Sequence, residues 1–198
     1  PGHEAGAYGD SVCDASPLLF TSMVDAMAKL DVRPDFVINT GDEPAHDVWA
    51  QSDGLNLKAA QQVANDLING GFGDLPMAVA FGNHGSDPVN QYKGLDGDAW
   101  LYNGVADAYR NWMCDDAERT LRFGGFYSQR LAPGLRALSF HTTMWDEGGN
   151  WYAVANGTDF TGQFAWARDA LTQARTRGEK VYVLHHHGAS GLDGFSGV

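Results

Sequence analysis

Asp35-Phe36-Val37-Ile38-Asn39-Thr40-Gly41-Asp42-Glu43-Pro44-Ala45-His46-Asp47 begins as an apolar run and turns abruptly into Gly, Asp, Pro, His and Asp. A buried strand that ends in a Gly-Asp turn carries a carboxylate out of the core at a fixed height. In α/β sheets, ligands bind at the C-terminal ends of the strands. A carboxylate at Asp42 with His46 four residues later and Asp47 beside it suits a divalent cation and a polar substrate.

The chain on either side repeats this event. Upstream, Ser16-Pro17 reads as an N-cap followed by Pro at the first helical position. Leu19, Met23, Ala26 and Leu30 follow at helical spacing until Arg33-Pro34 stops them. Downstream, a helix from about Leu57 to Asn69 turns Leu57, Ala60, Ala64, Leu67 and Ile68 to one face and ends at Gly70-Gly71. A second apolar strand, Met77 to Phe81, stops at Gly82-Asn83-His84-Gly85. Residues 86–98 read as a polar loop, and a single helix is expected from about Asp98 to Asp116. Phe126 to Leu131 and Leu135 to His141 read as a hairpin across Pro133-Gly134. Residues 142–159 read as one long loop, of the kind that often carries function. A helix from about Phe160 to Arg177 is capped by Gly178, and the strand Lys180 to Leu184 ends in His185-His186-His187. The Gly-rich tail after it shows no element.

No repeat, linker or change of composition divides the chain, so residues 1–198 are expected to form a single α/β domain with a mixed sheet. Hydrophobic residues make up 43% and charged residues 19% of it, the balance of a globular chain that can build a core without disulfide staples. Lys+Arg number 13 against 25 Asp+Glu, a net charge of −12, with no basic stripe; nucleic-acid binding is not expected. Protonation of carboxylates and of the 7 His would shrink that charge in acid, so acid conditions should be tolerated better. The longest apolar runs are strand-sized, so no transmembrane segment is expected. The chain opens at Pro1 with no signal peptide and is expected to be processed, trimmed or incomplete. Cys13 and Cys114 leave pairing with each other, reduced thiols or partners elsewhere all open. One sequon, Asn156-Gly157-Thr158, suggests secretion weakly.

Three short strands thus end in Gly41-Asp42, in Gly82-Asn83-His84 and in His185-His186-His187. Each alone is ordinary turn chemistry, and a His tract binds metal only nonspecifically. Together they bring carboxylate, amide oxygen and imidazole, donors that suit Zn, Mn or Fe. A carboxylate shared by two such ions is a common device for in-line displacement at phosphorus.

The order and spacing resemble the calcineurin-like metallophosphoesterases, and within them the acid sphingomyelinase-like branch. The residues that carry the resemblance are Thr40-Gly41-Asp42-Glu43-Pro44-Ala45-His46-Asp47-Val48-Trp49 and Gly82-Asn83-His84-Gly85-Ser86-Asp87-Pro88-Val89-Asn90. Further on, Leu121-Arg122-Phe123-Gly124-Gly125-Phe126-Tyr127, Pro133-Gly134-Leu135-Arg136, Asn156-Gly157-Thr158-Asp159 and Arg177-Gly178-Glu179-Lys180-Val181 extend it from about Gly9 to His187. The resemblance implies the calcineurin-like fold, layered mixed β-sheets flanked by helices, and a phosphodiesterase with two zinc ions, for which Mn or Fe could stand in. It implies that Asp42 bridges the two metals, that Asn83 binds the second, and that His186 rather than His185 or His187 is the remaining ligand. His84 would then sit near the scissile phosphate as general acid or charge stabiliser, and His46 would face the same cleft and position the phosphodiester. It also implies that Asn156 is glycosylated and that the protein is secreted or lysosomal.

The family's opening Asp-x-His and closing Gly-His-x-His motifs do not stand in this sequence, nor does a saposin-like domain, so the chain is expected to be the central part of such a domain, incomplete at both ends. Gly85 stands where the family usually has an acidic residue, and His187-Gly188-Ala189 replaces an apolar-Pro-Pro run. Cys13 resembles a family cysteine whose partner lies upstream. The implied reaction is hydrolysis of sphingomyelin to ceramide and phosphocholine by a metal-activated hydroxide, with peripheral membrane contact to reach the phospholipid. Two readings stay beside it: a related enzyme acting on nucleotides, polyphosphate or other phosphodiesters, and a relative that binds lipid or metal without turnover.

Overall fold

The computed structural model describes residues 6–146, 149–156 and 159–188. Helix α1 (Pro17–Ala28) opens as its sequence dictates: the Ser16 hydroxyl accepts from the Leu19 amide at 3.2 Å, with Pro17 at the first position. The first strand, β1 (Val37–Asn39), is shorter than the apolar run that announced it. Helix α2 (Asp53–Leu67) begins four residues before the expected start, because Ser52 caps it through the Leu55 amide at 3.3 Å. It ends in a wide turn, Ile68–Phe72, in which Gly71 takes φ 87°. Strand β2 (Met77–Val79) follows, buried throughout.

The helix expected over 98–116 is in fact two. Helix α3 (Ala99–Ala108) closes at Tyr109, a 3₁₀ turn covers Arg110–Trp112, and Met113 and Cys114 are extended. Helix α4 (Asp115–Gly124) then starts afresh. Its signals were in the sequence: Asp115, Asp116 and Glu118 in the first turn favour the positive end of the helix dipole, and Gly125 ends it at φ 76°. The hairpin is as expected, β3 (Tyr127–Ala132) and β4 (Leu135–Ser139). The 142–159 loop is a correction. It holds a 3₁₀ turn, Thr142–Trp145, and a short helix α5 (Trp151–Asn156). Buried Asn150 sets that helix in place, donating to the Tyr92 and Thr143 carbonyls at 3.0 and 3.2 Å. Helix α6 (Gln163–Thr176) and strand β5 (Lys180–Leu184) complete the chain, with Gly178 at φ 69° between them. Residues 189–198, the bulk of the Gly-rich tail, lie outside the described residues.

The strands form two small sheets rather than one: β1 pairs with β2 in parallel, and β4 lies between antiparallel β3 and parallel β5. Side chains knit the sheets where no ladder does. Tyr127 on β3 donates its hydroxyl to the Val79 carbonyl at 2.8 Å and accepts from the Val79 amide at 2.5 Å. Ser139 on β4 donates to the same carbonyl at 2.7 Å, and the Gln129 amide reaches the Met77 carbonyl. The open edge of β2 is thereby satisfied by buried hydroxyls and an amide, which keeps its backbone polar groups from being left bare in the core. That core runs from Val24 and Leu67 through Phe81, Tyr92 and Tyr102 to Leu138 and Met144. The consequence for function is positional. β1, β2 and β5, whose ends carry the ligand-capable residues, are locked across two sheets and finish at one place.

Candidate metal and phosphodiester site

The turn after β1 is made by two residues in the left-handed region, Gly41 at φ 82° and Asp42 at φ 77°. Gly41 is forced there. A Cβ on it would lie 2.4 Å from the Ala80 carbonyl oxygen and 2.6 Å from the Gly82 amide nitrogen. A Cβ on Gly82 would in turn lie 2.4 Å from the Asp42 amide nitrogen. The two strand-end turns are thus pressed backbone to backbone, and only glycine at both positions lets them approach. Asn39 helps by accepting from the Gly41 amide at 2.9 Å.

This contact sets the carboxylate. Asp42 Oδ1 accepts from the His84 backbone N–H at 2.8 Å. Across from it, His186 Nε2 lies 3.6 Å from Asp42 Oδ2 and 3.0 Å from Asn83 Oδ1. The other ring nitrogen, Nδ1, is 3.1 Å from the Thr40 carbonyl. A carbonyl only accepts, so Nδ1 carries the hydrogen. Nε2 is thereby the nitrogen turned toward the two oxygens. Asn83 Nδ2 donates to Asn90 Oδ1 at 2.9 Å, which turns its Oδ1 to the site, and the Asn90 backbone amide donates to the Asn83 carbonyl at 2.9 Å. Carboxylate oxygen, amide oxygen and imidazole nitrogen therefore converge on one point. Such a cluster fits a divalent cation, with the Thr40 carbonyl in the role of the outer partner that orients a metal-bound histidine. Among the described residues no three His, Cys, Asp or Glu side chains form a metal-sized group. The set rests on Asn83 as its third donor.

His84 and His46 stand beside this point. Their rings are 4.3 Å apart and tilted by 58°. His84 is buried, with Nδ1 unpartnered in the interior. Its loop is gripped by Asn56 of α2, whose amide nitrogen donates to the carbonyls of His84, Gly85 and Ser86 at 3.2, 3.3 and 3.1 Å. A side chain at Gly85 would meet the Tyr92 hydroxyl at 2.4 Å, so an acidic residue has no room at that position. His46 is held by Asp14, which sequence reasoning missed. The carboxylate accepts from the His46 amide at 2.8 Å and pairs with its Nδ1 at 2.5 Å. The hydrogen bond to Asp14 raises the His46 imidazole above its ordinary pKa, with the charge of Asp14 adding to it. Asp14 lies 32 residues from its partner in an irregular stretch, and no periodicity marks it. Glu43 was also passed over. It accepts from Asn39 Nδ2 at 2.8 Å beneath Asp42, and burial above all, then the neighbouring Asp42 charge, pushes its carboxyl up. A cleft of about 320 Å³ opens next to the turn, lined in part by Ser16, Phe20, Asn39, Asp42, Glu43 and Gln62.

The remaining candidates lie apart from that cluster in role or place. His185 Nδ1 is 2.7 Å from the His187 carbonyl, and His187 Nδ1 lies 3.7 Å from Asp146. Asn156 is exposed at the end of α5; Gly157 and Thr158 of its sequon lie outside the described residues. Cys13 and Cys114 are both unpaired and exposed.

Comparison with known proteins gives the geometry a context. The chain is 36% identical over 188 residues to the sphingomyelin phosphodiesterase of Bos taurus, an alignment covering 92% of this chain and 30% of that protein. Sphingomyelinase phosphodiesterase C of Dictyostelium discoideum is 33% identical over 183 residues, covering 92% and 40%. Over this span the chain is homologous to acid sphingomyelinase-like proteins. The cyclic GMP-AMP phosphodiesterase SMPDL3A of Mus musculus is 34% identical over 184 residues, covering 91% of this chain and 40% of that protein. The chain spans about a third of the length of its mammalian sphingomyelin phosphodiesterase relatives. No protein-family model matches it. Among the described residues no helix is long and apolar enough to cross a membrane.

Proposed function

We propose that the chain is the central part of a metal-dependent phosphodiesterase, a phosphoric diester hydrolase with the layered calcineurin-like fold, and that its substrate is sphingomyelin, cleaved to ceramide and phosphocholine. The observation that carries this reading is the convergence of Asp42 Oδ2, Asn83 Oδ1 and His186 Nε2 from three strand ends. Asp42, Asn83 and His186 would hold one divalent cation, zinc or else Mn or Fe, and Asp42 would be shared with a second. A cation there supplies charge neutralisation for the phosphate and lowers the pKa of water. The chain's own residues do the rest. The Thr40 carbonyl keeps His186 in the ligating tautomer, Asn90 fixes the amide of Asn83, and the His84 amide orients Asp42. His84 and His46, side by side at the edge of the site with their rings tilted, stabilise or protonate oxygen as charge develops on it.

A second substrate class, nucleotide diesters, is favoured by one observation: relatives of comparable identity are named for a cyclic dinucleotide. An extracytoplasmic location, lysosomal or secreted, and a glycan on Asn156 complete the proposal. Asn156 is exposed at the helix end where a glycan would meet no core. Turnover of sphingomyelin vesicles against cyclic GMP-AMP by the zinc-loaded intact protein separates the substrates. Hydrolysis of sphingomyelin is expected. Hydrolysis of the dinucleotide alone moves the assignment to the second class, and turnover of neither, with metal bound, overturns the enzyme reading.

A further inference from the structure

Away from the strand ends, a cleft of about 360 Å³ opens between α4 and α6 over the β3–β4 hairpin. That volume lies within the roughly 300–1,000 Å³ of small-molecule pockets. Arg136 forms part of its floor. It pairs in register with Val181 of β5, five residues before His186, so roughly 16 Å of strand separates it from the candidate metal site. The side chain is 16% exposed and tightly held. Its Nε and Nη2 reach Glu179 at 2.7 and 3.1 Å, and Nη1 donates to Ser128 Oγ at 3.1 Å. Those bonds use three of the five N–H groups of a guanidinium, and one on each terminal nitrogen remains. Glu179 itself does not line the cleft. Bonding to Arg136, with the charges of Arg136, Arg177 and Arg130 added, holds its carboxyl below the ordinary value. Three guanidinium groups thus bear on one carboxylate, a local positive excess in a chain of net charge −12. Arg177, at the end of α6, carries that excess into the cleft: its Nη2 is a long 3.5 Å from Gln173 Oε1, and among the described residues it forms no salt bridge.

Trp166 lines the same cleft further along α6. Phe126 and Phe140, neither of which lines the cleft, pack on it with ring centres 4.8 and 6.0 Å away and fix the indole. Phe140 stands four residues beyond Arg136. The Arg136 side chain leans the same way, since it reaches Ser128, the partner of Leu138. About two residues of strand, ~7 Å, therefore separate guanidinium from indole. The two carboxylates of the lining sit at its exposed mouth: Asp116 is tied to Arg119 at 3.1 Å, and Asp169 lies 3.8 Å from Arg168.

We propose that the cleft between α4 and α6 binds a nucleoside monophosphate, with its phosphate on Arg136 and Arg177 and its base on Trp166. A guanidinium fork matches phosphate oxygens in pairs, and one already locked by Glu179 and Ser128 loses little freedom on binding. An aromatic face stacks a base of any sequence. Asp169, one turn along α6 from Trp166, is placed to accept from ribose hydroxyls. Inorganic phosphate would leave the indole unused, and phosphocholine has the phosphate without a planar base. The inference concerns binding and stands apart from the hydrolytic reading of the strand-end site.

The test titrates AMP into the intact protein with no zinc added and follows the Trp166 indole N–H resonance alongside calorimetry. The Trp166 signal, identified by its loss in Trp166→Leu, is expected to shift and saturate. Arg177→Gln should weaken AMP by about 10-fold or more, the worth of a charge-assisted bond to phosphate. Trp166→Leu should weaken it by roughly 10-fold or more, the worth of stacking one base. Phosphocholine should bind more weakly than AMP and be indifferent to Trp166→Leu. Arg168→Gln is the control for charge alone: it lies on the same helix, 78% exposed and outside the lining, and should change nothing. A Trp166 signal that stays still up to millimolar AMP overturns the proposal. So do equal losses in Arg168→Gln and Arg177→Gln, which would mean diffuse attraction, and phosphocholine binding as tightly as AMP, which would mean that no base is recognised. Should Trp166→Leu fail to fold, Trp166→Phe identifies the signal and Arg177→Gln decides the outcome. No turnover is measured, so the result bears on this cleft and leaves the enzyme reading where it stands.

Discussion

Among three adjacent histidines, only His186 has both ring nitrogens committed to the site, Nδ1 to the Thr40 carbonyl and Nε2 to the converging oxygens. His185 turns to the His187 carbonyl and His187 toward Asp146. If that cluster holds a cation, the three are unequal. His186→Ala should weaken zinc binding by more than about 100-fold, because even the partners of metal ligands are worth roughly 10–100-fold in affinity. Asp42→Asn should lower zinc content as well, and asparagine tolerates the left-handed backbone of that turn. His185→Ala should leave zinc affinity little changed. Competition with a chromophoric chelator measures all three, and equal effects for His185 and His186 would sink the assignment. Asp42 and Asn83 stood out in the sequence because their apolar runs stop at Gly41 and Gly82, whereas His186 was singled out from its neighbours only by the resemblance. The sequence did not reach Asp14 or Asn56, whose partners lie 32 and 28 residues away on other elements. A carboxylate that orients a histidine across a fold leaves no local pattern.

At the level of elements, the site depends on two turns that touch through glycine. Gly82→Ala would drive a methyl group to within 2.5 Å of the Asp42 backbone and Cβ. Overpacking of this kind costs about 1–3 kcal/mol, and the shift it forces falls on the carboxylate itself. A drop of several degrees in melting temperature is expected together with weaker zinc binding, by calorimetry and chelator competition on the same sample. Gly54 is the contrast. It lies in the first turn of α2 with nothing within 4 Å of a would-be Cβ, so Gly54→Ala should stabilise by up to about 0.5–1 kcal/mol in urea titration and leave zinc alone. A fall in zinc affinity with Gly54→Ala, or its retention in Gly82→Ala, would contradict the view that the turn contact sets the site. The elements the sequence misjudged follow the same logic. The 99–124 segment has helical periodicity on both sides of Tyr109, and only the acidic first turn at Asp115–Glu118 marks the restart. Helix α5 is six residues long and is held by Asn150, whose bonds to Tyr92 and Thr143 come from tertiary structure and not from local propensity.

Over the whole molecule, the acidic composition suggests tolerance of low pH, since protonation shrinks a net charge of −12. The core contains an opposing device. His141 is fully buried, stacked on Phe81 at 4.9 Å and 21° and edge-on to Tyr92 at 4.1 Å, and among the described residues neither ring nitrogen has a hydrogen-bond partner. Burial, aided by the nearby charges of His187 and His186, lowers its pKa from 6.5 to about 3. In the unfolded chain the same ring takes up a proton near its ordinary value. Between about pH 6.5 and pH 3 the unfolded state therefore binds more protons, and stability falls as pH falls through that window. The contribution lost from pH 7 to pH 5 is about 2 kcal/mol by linkage. His141→Leu removes the titration without stranding a hydrogen bond, because none is made. Urea midpoints measured across this range should show a shallower acid slope in His141→Leu than in the wild type, whatever the packing change does to stability at pH 7. An unchanged slope would mean that the ring is protonated or solvated in the folded protein, and the aromatic cage around it would then have to open where the structure closes it.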